Sequence, residues 1–504
     1  MLWKSPNPAF STLLDALNRE QCTVHLVGGV VRDLLLNRHE ITDLDLVLET
    51  SSVLAVARRV ADRLGWAFYA LDETRDVARL VFMPGSGETL VCDIAALRAP
   101  TLESDLLLRD FTVNAMALTG PLTDMRLVDP TGGNNDLHRR LIRRVSTVSL
   151  ADDPVRLLRA VRFAAQLDFT IEDATAAQIR RLSDYLSRVS VERVRDELWK
   201  TLATPRPVDA IQRLAQLGLL PVVLPEIAAL EGVEQSYPHT ADVYRHTLRA
   251  VGYATTLAQW VLGKPAAIDP NLADALQPWR YQLRRQLVTP LTVGRPRSEW
   301  LVWYALLHDI GKPATRCVEW DNGVRRARFL DHETIGAQQA AELLGRLRFA
   351  RSEIEAAAAV IRSHMRPHHL HSAFPDAPIS RRAQFRFFRD LGNKQTSVGI
   401  GIDVLLLALA DVQAIYGAPP PDWIDYLQHV TALLAYAFDT PAQTATPLVN
   451  GSVLMRQFDL QPGTLVGELL EVLNEAQMVG EVTTREEALA HAARWLKHAP
   501  QTDR

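Results

Sequence analysis

A glycine turn followed by two closely spaced carboxylates constrains this chain more than any other feature. Residues 24–47, VHLVGGVVRDLLLNRHEITDLDLV, predict a strand, a turn at Gly28 and Gly29, a helix, and a strand carrying Asp43 and Asp45. Side chains two apart on a strand share a face, so the carboxylates converge. Carboxylates hold Mg²⁺ together with substrate phosphates, and backbone N–H groups at a helix N-terminus suit a triphosphate. Either motif alone is weak, but the two in this order indicate nucleotidyl transfer.

In this order of motifs the chain resembles the nucleotidyltransferases of the polymerase-beta superfamily. More narrowly, GG-x-VRD followed by DxDLV resembles the class II tRNA nucleotidyltransferase and bacterial poly(A) polymerase family. The resemblance implies an α+β fold, with a polymerase-beta-type nucleotidyltransferase head followed by an all-α neck, body, HD domain and tail. It also implies a template-independent enzyme that adds CCA, or its terminal A, to the 3′ end of tRNA from CTP and ATP and releases pyrophosphate. A poly(A) polymerase acting on other RNA 3′ ends is the alternative.

The composition limits the class of protein. The 504 residues are enough for two to four domains, and 47% apolar with 23% charged residues is ordinary for a soluble protein. We find no apolar run near the roughly 18–20 residues of a membrane span and no signal-peptide pattern. Three single cysteines fit neither a disulfide framework nor a zinc site. We therefore expect a cytoplasmic protein with no membrane partner and no obligate protein partner.

The charge balance says where RNA can bind. The formal net charge is −4, so RNA must be met by local basic patches. The segment from His138 to Arg162 contains seven arginines and adjoins the proposed site. A charge run is usually a solvated helix face, but this one is placed where an RNA end would approach.

The pattern of apolar residues divides the chain into four parts. Residues 1–145 mix short β-type runs with helices and predict a catalytic head on a small, largely antiparallel sheet. Residues 146–235 predict a helical neck and body for nucleotide selection and RNA binding. Residues 236–415 predict the HD domain, in which 264–298, with five prolines, is interpreted as an insertion or loop. Residues 416–504 predict a helical tail.

The head holds further candidate residues for the transferase site. Asp93, on a strand predicted to neighbour the DxD strand, would complete the catalytic carboxylates with Asp43 and Asp45, which hold Mg²⁺. The run LRDFTVN at 108–114 resembles the family motif RRDxxxN without its first arginine. Arginine grips phosphate oxygens bidentately, so Arg109 is predicted to bind the triphosphate. The candidate nucleotide-binding residues in the head are Gly28, Gly29, Arg32, Asp33, Arg109, Asp110 and Asn114.

The start of the neck resembles the family motif EDxxR, with Asp152 in place of the glutamate, followed by Asp153 and Arg156. In the family this helix selects the incoming nucleotide, and an Asp–Arg pair presents an acceptor and a donor to a base edge. Acidic residues in a first helical turn are also ordinary caps and dipole partners. We predict nucleotide binding by Asp152, Asp153 and Arg156, together with Arg159. The later Glu192, Arg193 and Glu197 are predicted to brace the neck.

The spacing after Asp93 bears on nucleotide specificity. Only nine residues separate it from Glu103. Family members that add both C and A have a longer flexible loop here, which they need for the switch from C to A. The short spacing therefore weakens a CCA-adding assignment and favours an adenosine-only role.

A second constellation lies in the middle of the chain, with the order H…HD…H…H…D. It resembles the HD superfamily of metal-dependent phosphohydrolases and implies these metal ligands: His246, His308, Asp309, His332, His364 and Asp411. Asp309 would bridge two ions, and Lys312 would contact a phosphate. Imidazole ligands favour a divalent transition metal such as Mn²⁺, Fe²⁺, Co²⁺ or Ni²⁺ over Mg²⁺. A further hypothesis is that this phosphohydrolase is the working activity and the transferase head is a relic.

Overall fold

The structure is a computed structural model. It describes residues 8–20, 22–38, 41–83, 89–121, 124–321, 323–375, 377–391, 397–439 and 447–498. These residues form two compact units, 1–223 and 224–504. The predicted four-part division at residues 145, 235 and 415 stays a prediction.

The head of the first unit is built on a seven-stranded sheet. Its strands are β1 (Thr23–Val27), β2 (Asp43–Glu49), β3 (Ala67–Asp72), β4 (Val77–Phe82), β5 (Leu90–Ala96), β6 (Ala117–Thr119) and β7 (Arg126–Val128). The strand order is β3-β4-β5-β2-β1-β6-β7. Every described neighbouring pair is antiparallel except β2 with β5. The predicted, largely antiparallel sheet is confirmed.

Five of the described helices belong to the head, and the chain that follows the head is mainly helical. The head helices are α1 (Pro8–Asn18), α2 (Gly29–Leu35), α3 (Val53–Leu64), α4 (Leu102–Leu106) and α5 (Gly133–His138). The short strands β8 (Leu141–Ile142) and β9 (Thr170–Ile171) pair in parallel. The helices that follow the head are α6 (Ser149–Asp152), α7 (Val155–Leu167), α8 (Asp173–Leu182), α9 (Val191–Leu202), α10 (Pro207–Gln216) and α11 (Leu220–Val223). Helix α7 buries an apolar stripe that includes Leu157, Leu158 and Val161, as its helical spacing predicts.

The helix predicted to open with Asp152 and Asp153 is interrupted. Helix α6 ends at Asp152, and Asp153 is extended, with φ −142° and ψ 92°. Pro154 disfavours a helical conformation in the residue before it, so α7 begins only at Val155.

The second unit is mainly helical. Its first elements are α12 (Pro225–Ala228), α13 (Val243–Val261), α14 (Pro270–Leu276), α15 (Arg280–Val288), β10 (Pro290–Thr292), β11 (Arg295–Pro296), α16 (Arg297–Leu307), α17 (Lys312–Thr315), β12 (Arg316–Asp321) and β13 (Val324–Phe329). The elements that follow are α18 (His332–Arg346), α19 (Arg351–Ser363), α20 (Arg366–Ala373), α21 (Arg381–Arg389), α22 (Ser397–Tyr416), α23 (Trp423–Asp439), α24 (Gly451–Phe458), α25 (Thr464–Met478) and α26 (Arg485–His498). The α+β fold with helical parts after the head is confirmed.

Two expectations from the sequence are wrong here. The loop alternative for 264–298 is wrong, since the segment forms α14, α15 and the β10–β11 pair, and the insertion alternative stays a prediction. Four of its five prolines, at 270, 278, 290 and 296, stand at or near the starts of elements, where a missing N–H costs little, and its leucines at 272, 276, 283 and 287 are buried. The HD region, predicted to be all-α, also contains the antiparallel hairpin of β12 and β13.

Helix α22 is more apolar than the sequence analysis allowed. Among the described residues it is the one helix long and apolar enough to cross a membrane, from Val398 to Tyr416. Most of it (89%) is buried within the protein, and it carries the buried carboxylates Asp403 and Asp411. Core helices pass the same test, so this one is weak evidence for a span.

Candidate active site and candidate metal centre

Three carboxylates converge in the first unit because two strands run side by side. Asp43 and Asp45 lie on β2, and Asp93 on β5 is the register partner of Asp45. All three line one cavity of about 580 Å³. Burial and the charge of Asp93 raise the pKa of Asp45 to about 6, and the same two causes raise the pKa of Asp43. Such a concentration of negative charge fits one or two divalent cations, as predicted for Mg²⁺.

Asp93 has a partner that the sequence analysis missed. Arg79 on β4 stands opposite Asp93 and donates two hydrogen bonds to it, from Nε at 2.7 Å and Nη2 at 2.8 Å. This fork orients the third carboxylate and cancels one charge. The alternating pattern of β4 was the signal that could have found it, since it sends Arg79 to the face opposite its buried neighbours.

The glycine turn stands beside these carboxylates. Gly28 caps α2 with φ 75° and ψ −136°, a backbone conformation that residues other than glycine rarely adopt. A Cβ at this position would lie 3.1 Å from Arg109 Nη1 and 3.3 Å from Asp45 Oδ2. The turn, a carboxylate and a guanidinium therefore meet at one point of the cavity wall, which is the arrangement predicted for a triphosphate site.

The two predicted phosphate-binding arginines are placed differently. Arg32 is buried and held by Asp33, to which its Nε and Nη2 donate at 2.9 and 2.8 Å, and by Asn114 Oδ1 at 2.8 Å. Arg109 is half-buried, with 17% of its side chain exposed, and its ion pair with Asp105 is looser, at 3.5 Å. Of the two, Arg109 is the better candidate for the triphosphate, while Arg32 supports the turn.

The rest of the 108–114 motif is a brace between head and neck. Asp110 is buried and accepts hydrogen bonds from the backbone N–H of Phe111 at 2.8 Å and from Arg159 Nε at 2.7 Å. Arg159 and its neighbours hold the pKa of Asp110 below its ordinary value although burial would raise it. Asp110, Asn114 and Arg159 all line the cavity.

The predicted base-reading residues lie in an adjoining cavity of about 400 Å³, which also touches Asp45 and Asp93. Asp153 accepts a hydrogen bond from Arg193 Nη2 at 2.7 Å. Arg156 donates to three backbone carbonyls, those of Leu108, Arg109 and Ser149. Asp152 is exposed and lines neither cavity. Further lining residues that the sequence analysis did not single out are Arg98, Arg162, Phe163, Gln166 and Lys200.

The bracing role predicted for the later neck residues fits the contacts. Arg193 holds Asp153, and Glu197 accepts a hydrogen bond from Arg162 Nε. Both pairs join α9 to the start and the middle of the α6–α7 segment, so they fix the wall of the two cavities.

In the second unit all six predicted HD residues come together. His246 Nε2 lies 3.3 Å from Asp309 Oδ2 and 3.0 Å from Asp411 Oδ1. His308 Nε2 is 3.1 Å from the same Asp309 oxygen. The other oxygen of Asp309 faces His332 Nε2 at 3.6 Å, and that atom is 3.3 Å from His364 Nε2. Two groups thus meet at Asp309, which is placed to bridge two ions.

The imidazole tautomers show that this cluster fits a metal. In three of the four histidines Nδ1 is bound to a backbone carbonyl, at 2.7 to 2.9 Å, as in His308, His332 and His364. Nδ1 of these rings therefore carries a proton, and Nε2 faces the other ligands. Burial would lower the pKa of His308, but Asp309 and Asp411 outweigh it and raise that pKa to about 10, so a bound cation would take the place of the proton on His308 Nε2. Burial lowers the pKa of His364 to about 3, which keeps that ring neutral. Imidazole nitrogens and carboxylate oxygens that converge in a buried site form a donor set that fits a divalent transition metal.

Lys312 lies at the edge of this cluster. Its Nζ is 2.7 Å from Asp309 Oδ2 and 2.7 Å from Gln235 Oε1. Burial would raise the pKa of Asp309, but His308 and Lys312 outweigh it and hold that pKa well below its ordinary value. Gln235 and His239, whose ring is 5.2 Å from that of His246, were not predicted. Both precede α13 in an irregular segment without a motif.

Comparison with known proteins adds to this geometry. The Poly A polymerase head domain family matches residues 88–143, the probable RNA and SrmB-binding site of polymerase A matches 168–230, and the HD domain family matches 243–390. The chain is 34% identical over 94% of its length to an A-adding tRNA nucleotidyltransferase of Deinococcus radiodurans, 96% of which is covered. It is also 34% identical over 93% of its length to a CC-adding tRNA nucleotidyltransferase of Thermus thermophilus, 93% of which is covered. A CCA-adding enzyme solved with ATP has the same fold, with a TM-score of 0.60 at 22% identity over 97% of this chain and 95% of that one.

Proposed function

The chain belongs to the tRNA nucleotidyltransferase and bacterial poly(A) polymerase family, and we propose that it adds part of the 3′-terminal CCA to tRNA. The observation that carries the proposal is the convergence of Asp43, Asp45 and Asp93 in one cavity beside the glycine turn. Relatives that act on tRNA match nearly the whole chain. The single cysteines suit the cytoplasm, where we place the reaction.

We propose this division of labour in the cavity. Asp43, Asp45 and Asp93 would hold Mg²⁺, which supplies positive charge for the triphosphate and the leaving pyrophosphate. Arg109 and the backbone N–H groups after Gly28 would hold the phosphate oxygens. The terminal 3′ oxygen of tRNA attacks the α-phosphorus in line, which forms the new ester bond and breaks the bond to pyrophosphate. The hydroxyl proton passes to a carboxylate of the cavity.

We propose that Asp153 and Arg156 read the base from the adjoining cavity. Arg156 has five N–H groups, of which three are used on carbonyls, so donors remain for a base edge. The carboxylate of Asp153, steadied by Arg193, supplies the acceptor. The helices after the head would then hold the acceptor stem through its backbone.

The enzyme is proposed to add one kind of nucleotide. Only residues 97–101 join β5 to α4, so the described structure has no long loop between Asp93 and Arg109. We take adenosine as the first candidate. CC addition is the second, because a CC-adding relative matches as closely as an A-adding one.

Incubation of the enzyme with tRNA ending before CCA, or after CC, decides among these roles. CTP and ATP are supplied separately and together. Addition of a single A to the CC-ended tRNA is expected. CC addition to the shorter tRNA would establish the second candidate, and synthesis of the whole CCA would contradict single-nucleotide specificity. Long A tails on RNA other than tRNA would indicate a poly(A) polymerase.

The Asp43→Ala variant tests the catalytic site itself. It should fold and lose addition by several orders of magnitude, because a metal carboxylate is removed from the reacting centre. Asp62→Ala, an exposed carboxylate on α3, is the control and should add nucleotides normally. Near-normal addition by Asp43→Ala would overturn the proposal.

We further propose that the second unit is a metal-dependent phosphohydrolase. A transition metal held by the four histidines, Asp309 and Asp411 would supply a nucleophile by acidifying bound water, and Lys312 would bind the phosphate. Asp309→Ala should abolish metal-stimulated hydrolysis of p-nitrophenyl phosphate and leave Mg²⁺-dependent nucleotide addition nearly intact. Protein purified without chelators that contains no transition metal and hydrolyses no phosphoester would refute this. If cellular function depended on Asp309 but not on Asp43, the transferase head would be a relic.

A further inference from the structure

The hairpin of β12 and β13 is connected at both ends to residues of the candidate metal centre. Strand β12 follows α17, whose Lys312 is paired with Asp309. Strand β13 ends at Phe329, whose carbonyl accepts the hydrogen bond from His332 Nδ1 at 2.7 Å. The Phe329 ring centroid is 5.5 Å from Lys312 Nζ. Both roots of the hairpin are therefore fixed to residues of the centre.

A second contact holds the hairpin at its side. The backbone N–H of Ala327 donates to Ser236 Oγ at 2.7 Å. Ser236 follows Gln235, which is bound to Lys312. The hairpin thus contacts the segment of Gln235 and Ser236, which also binds Lys312, the predicted phosphate contact.

One face of the hairpin combines an aromatic ring with basic side chains. The register places Trp320 opposite Arg325 and Arg316 opposite Phe329. Directly opposed residues share a face, and so do alternate residues along a strand. Trp320 is 74% exposed, and Arg325 is also exposed. The face therefore runs from an open tryptophan at the tip to Phe329 at the centre.

The charge of the hairpin opposes that of the chain. Residues 316–329 contain four arginines against Glu319 and Asp321, a formal charge of +2 (four minus two), whereas the whole chain carries −4. Exposed tryptophan beside arginine is the composition that binds single strands, because bases stack on the ring and phosphates meet the cations. From Arg316 to Trp320 the strand rises about 13 Å, at about 3.3 Å per residue, which is longer than one nucleotide in a stacked strand.

We propose that this hairpin is a binding arm for single-stranded RNA, and that it leads a phosphorylated RNA end into the metal centre. The inference rests on the proposed phosphohydrolase function and names its substrate class, an RNA end and not a small phosphoester. A base stacks on Trp320, Arg325 holds the neighbouring phosphate, and the terminal phosphate reaches Lys312.

Photo-cross-linking tests the arm independently of hydrolysis. The full chain, loaded with transition metal, is irradiated with a short single-stranded RNA that carries a 3′-phosphate and 4-thiouridine. Peptides cross-linked to RNA are then identified by mass spectrometry. A cross-link within residues 316–329 is expected. RNA cross-linked elsewhere but not there would overturn the proposal, as would a hairpin that binds only protein.

Kinetics test the substrate class. We compare kcat/KM for the 3′-phosphorylated RNA with kcat/KM for p-nitrophenyl phosphate. In Trp320→Ala and in Arg325→Ala the ratio of the two should fall about tenfold, since stacking and the phosphate contact act only on RNA. Arg328→Ala is the matched control, because Arg328 lies on the opposite face and is paired with Glu319 at 2.7 Å.

The outcomes separate the two proposals. If p-nitrophenyl phosphate and RNA are both left intact with every transition metal tried, the phosphohydrolase proposal fails, and the cross-link alone decides whether the arm binds RNA. If both are hydrolysed and the ratio is unchanged in Trp320→Ala, the arm is wrong while the phosphohydrolase stands. If the ratio of the two kcat/KM values fell equally in Arg328→Ala, the effect would come from the net charge of the hairpin, and the assignment of RNA binding to one face would be wrong.

Discussion

Replacing Gly28 by alanine tests whether the glycine turn is built around the reacting groups. The residue has φ 75° and ψ −136°, so any side chain strains the backbone. The new Cβ would also lie 3.1 Å from Arg109 Nη1 and 3.3 Å from Asp45 Oδ2. Both distances are tighter than ordinary contacts, so the guanidinium and the carboxylate must shift by a few tenths of an ångström or more.

The expected magnitudes follow from these two effects. A residue held in a glycine-only conformation costs roughly 1–3 kcal/mol of the free energy of unfolding. Displacing groups that position a substrate by about 1 Å costs about 100-fold in rate, or about 2.7 kcal/mol of activation free energy. A shift of a few tenths of an ångström lies below this limit, so we expect Gly28→Ala to fold with reduced stability and to add nucleotides about 10- to 100-fold more slowly. The measurements are thermal melting and single-turnover addition to tRNA.

Gly65→Ala is the matched control for backbone strain. Gly65 ends α3 with φ 70°, and its added Cβ would meet nothing within 4 Å. The variant should lose about 1–2 kcal/mol of stability and keep its rate of addition. A normal rate in Gly28→Ala, or an equal loss of rate in Gly65→Ala, would refute the argument from Cβ contacts.

Three further predictions concern charge and close packing. Because burial and Asp93 raise the pKa of Asp45 to about 6, protons compete with Mg²⁺ as the pH falls through 6, and the shift of melting temperature produced by Mg²⁺ should shrink there. In the metal-free protein the pH acts on stability in the opposite direction. Asp45 binds its proton more tightly in the folded protein than in the unfolded chain, so its contribution to the free energy of unfolding falls as the pH rises from about 4 to 6. Gly311→Ala should abolish metal-dependent hydrolysis, because its Cβ would lie 2.2 Å from the His332 carbonyl oxygen, and phosphoester assays measure this. Arg297→Met should cost about 3–5 kcal/mol in denaturant unfolding, because it leaves buried Asp403 without its ion-pair partner.

Each of these has a control. Asp45→Asn should weaken the pH dependence of the Mg²⁺ effect near pH 6, where Asp43 remains to compete for protons, and a dependence as steep as in the unchanged protein would contradict the assignment to Asp45. Gly345→Ala on α18 meets nothing within 4 Å and should hydrolyse normally. Arg351→Met breaks an ion pair of exposed side chains with Glu355 and should change stability by less than about 1 kcal/mol.

The parts of the fold that could be predicted from the sequence are those with a local pattern. The apolar pattern and the glycine turn predicted β1, α2 and β2 in the correct order. Because side chains of a strand alternate between its faces, the pattern also predicted that Asp43 and Asp45 lie on one face. The placement of Asp93 opposite Asp45 needed the superfamily resemblance, because pairing between distant strands leaves no local mark. The same holds for the HD ligands, which are spread from His246 to Asp411.

Two misjudged regions show why local pattern can fail. The five prolines of 264–298 were read as loop residues, yet a proline at a helix start removes only an N–H that has no helical partner. The hairpin 316–329 did carry a signal, the Asn-Gly pair at 322–323 between β-type runs, which is the strongest short-range hairpin pattern. It was overlooked inside a region whose histidine motifs indicated helices.

A charged side chain that the protein itself does not neutralise is a better candidate for ligand binding than one that is fully paired, even when the two are residues of the same type. Arg32 and Arg109 look alike in sequence, but Arg32 donates to Asp33 and Asn114 within the protein, whereas Arg109 has only a loose pair. A buried guanidinium must be neutralised, and the sequence does not say whether a neighbour or a substrate does so. Asp43 and Asp45, with their raised pKa values, still lack such compensation. In the second unit four imidazoles converge on Asp309 and Asp411, so the side chains at both places form donor sets that fit divalent cations.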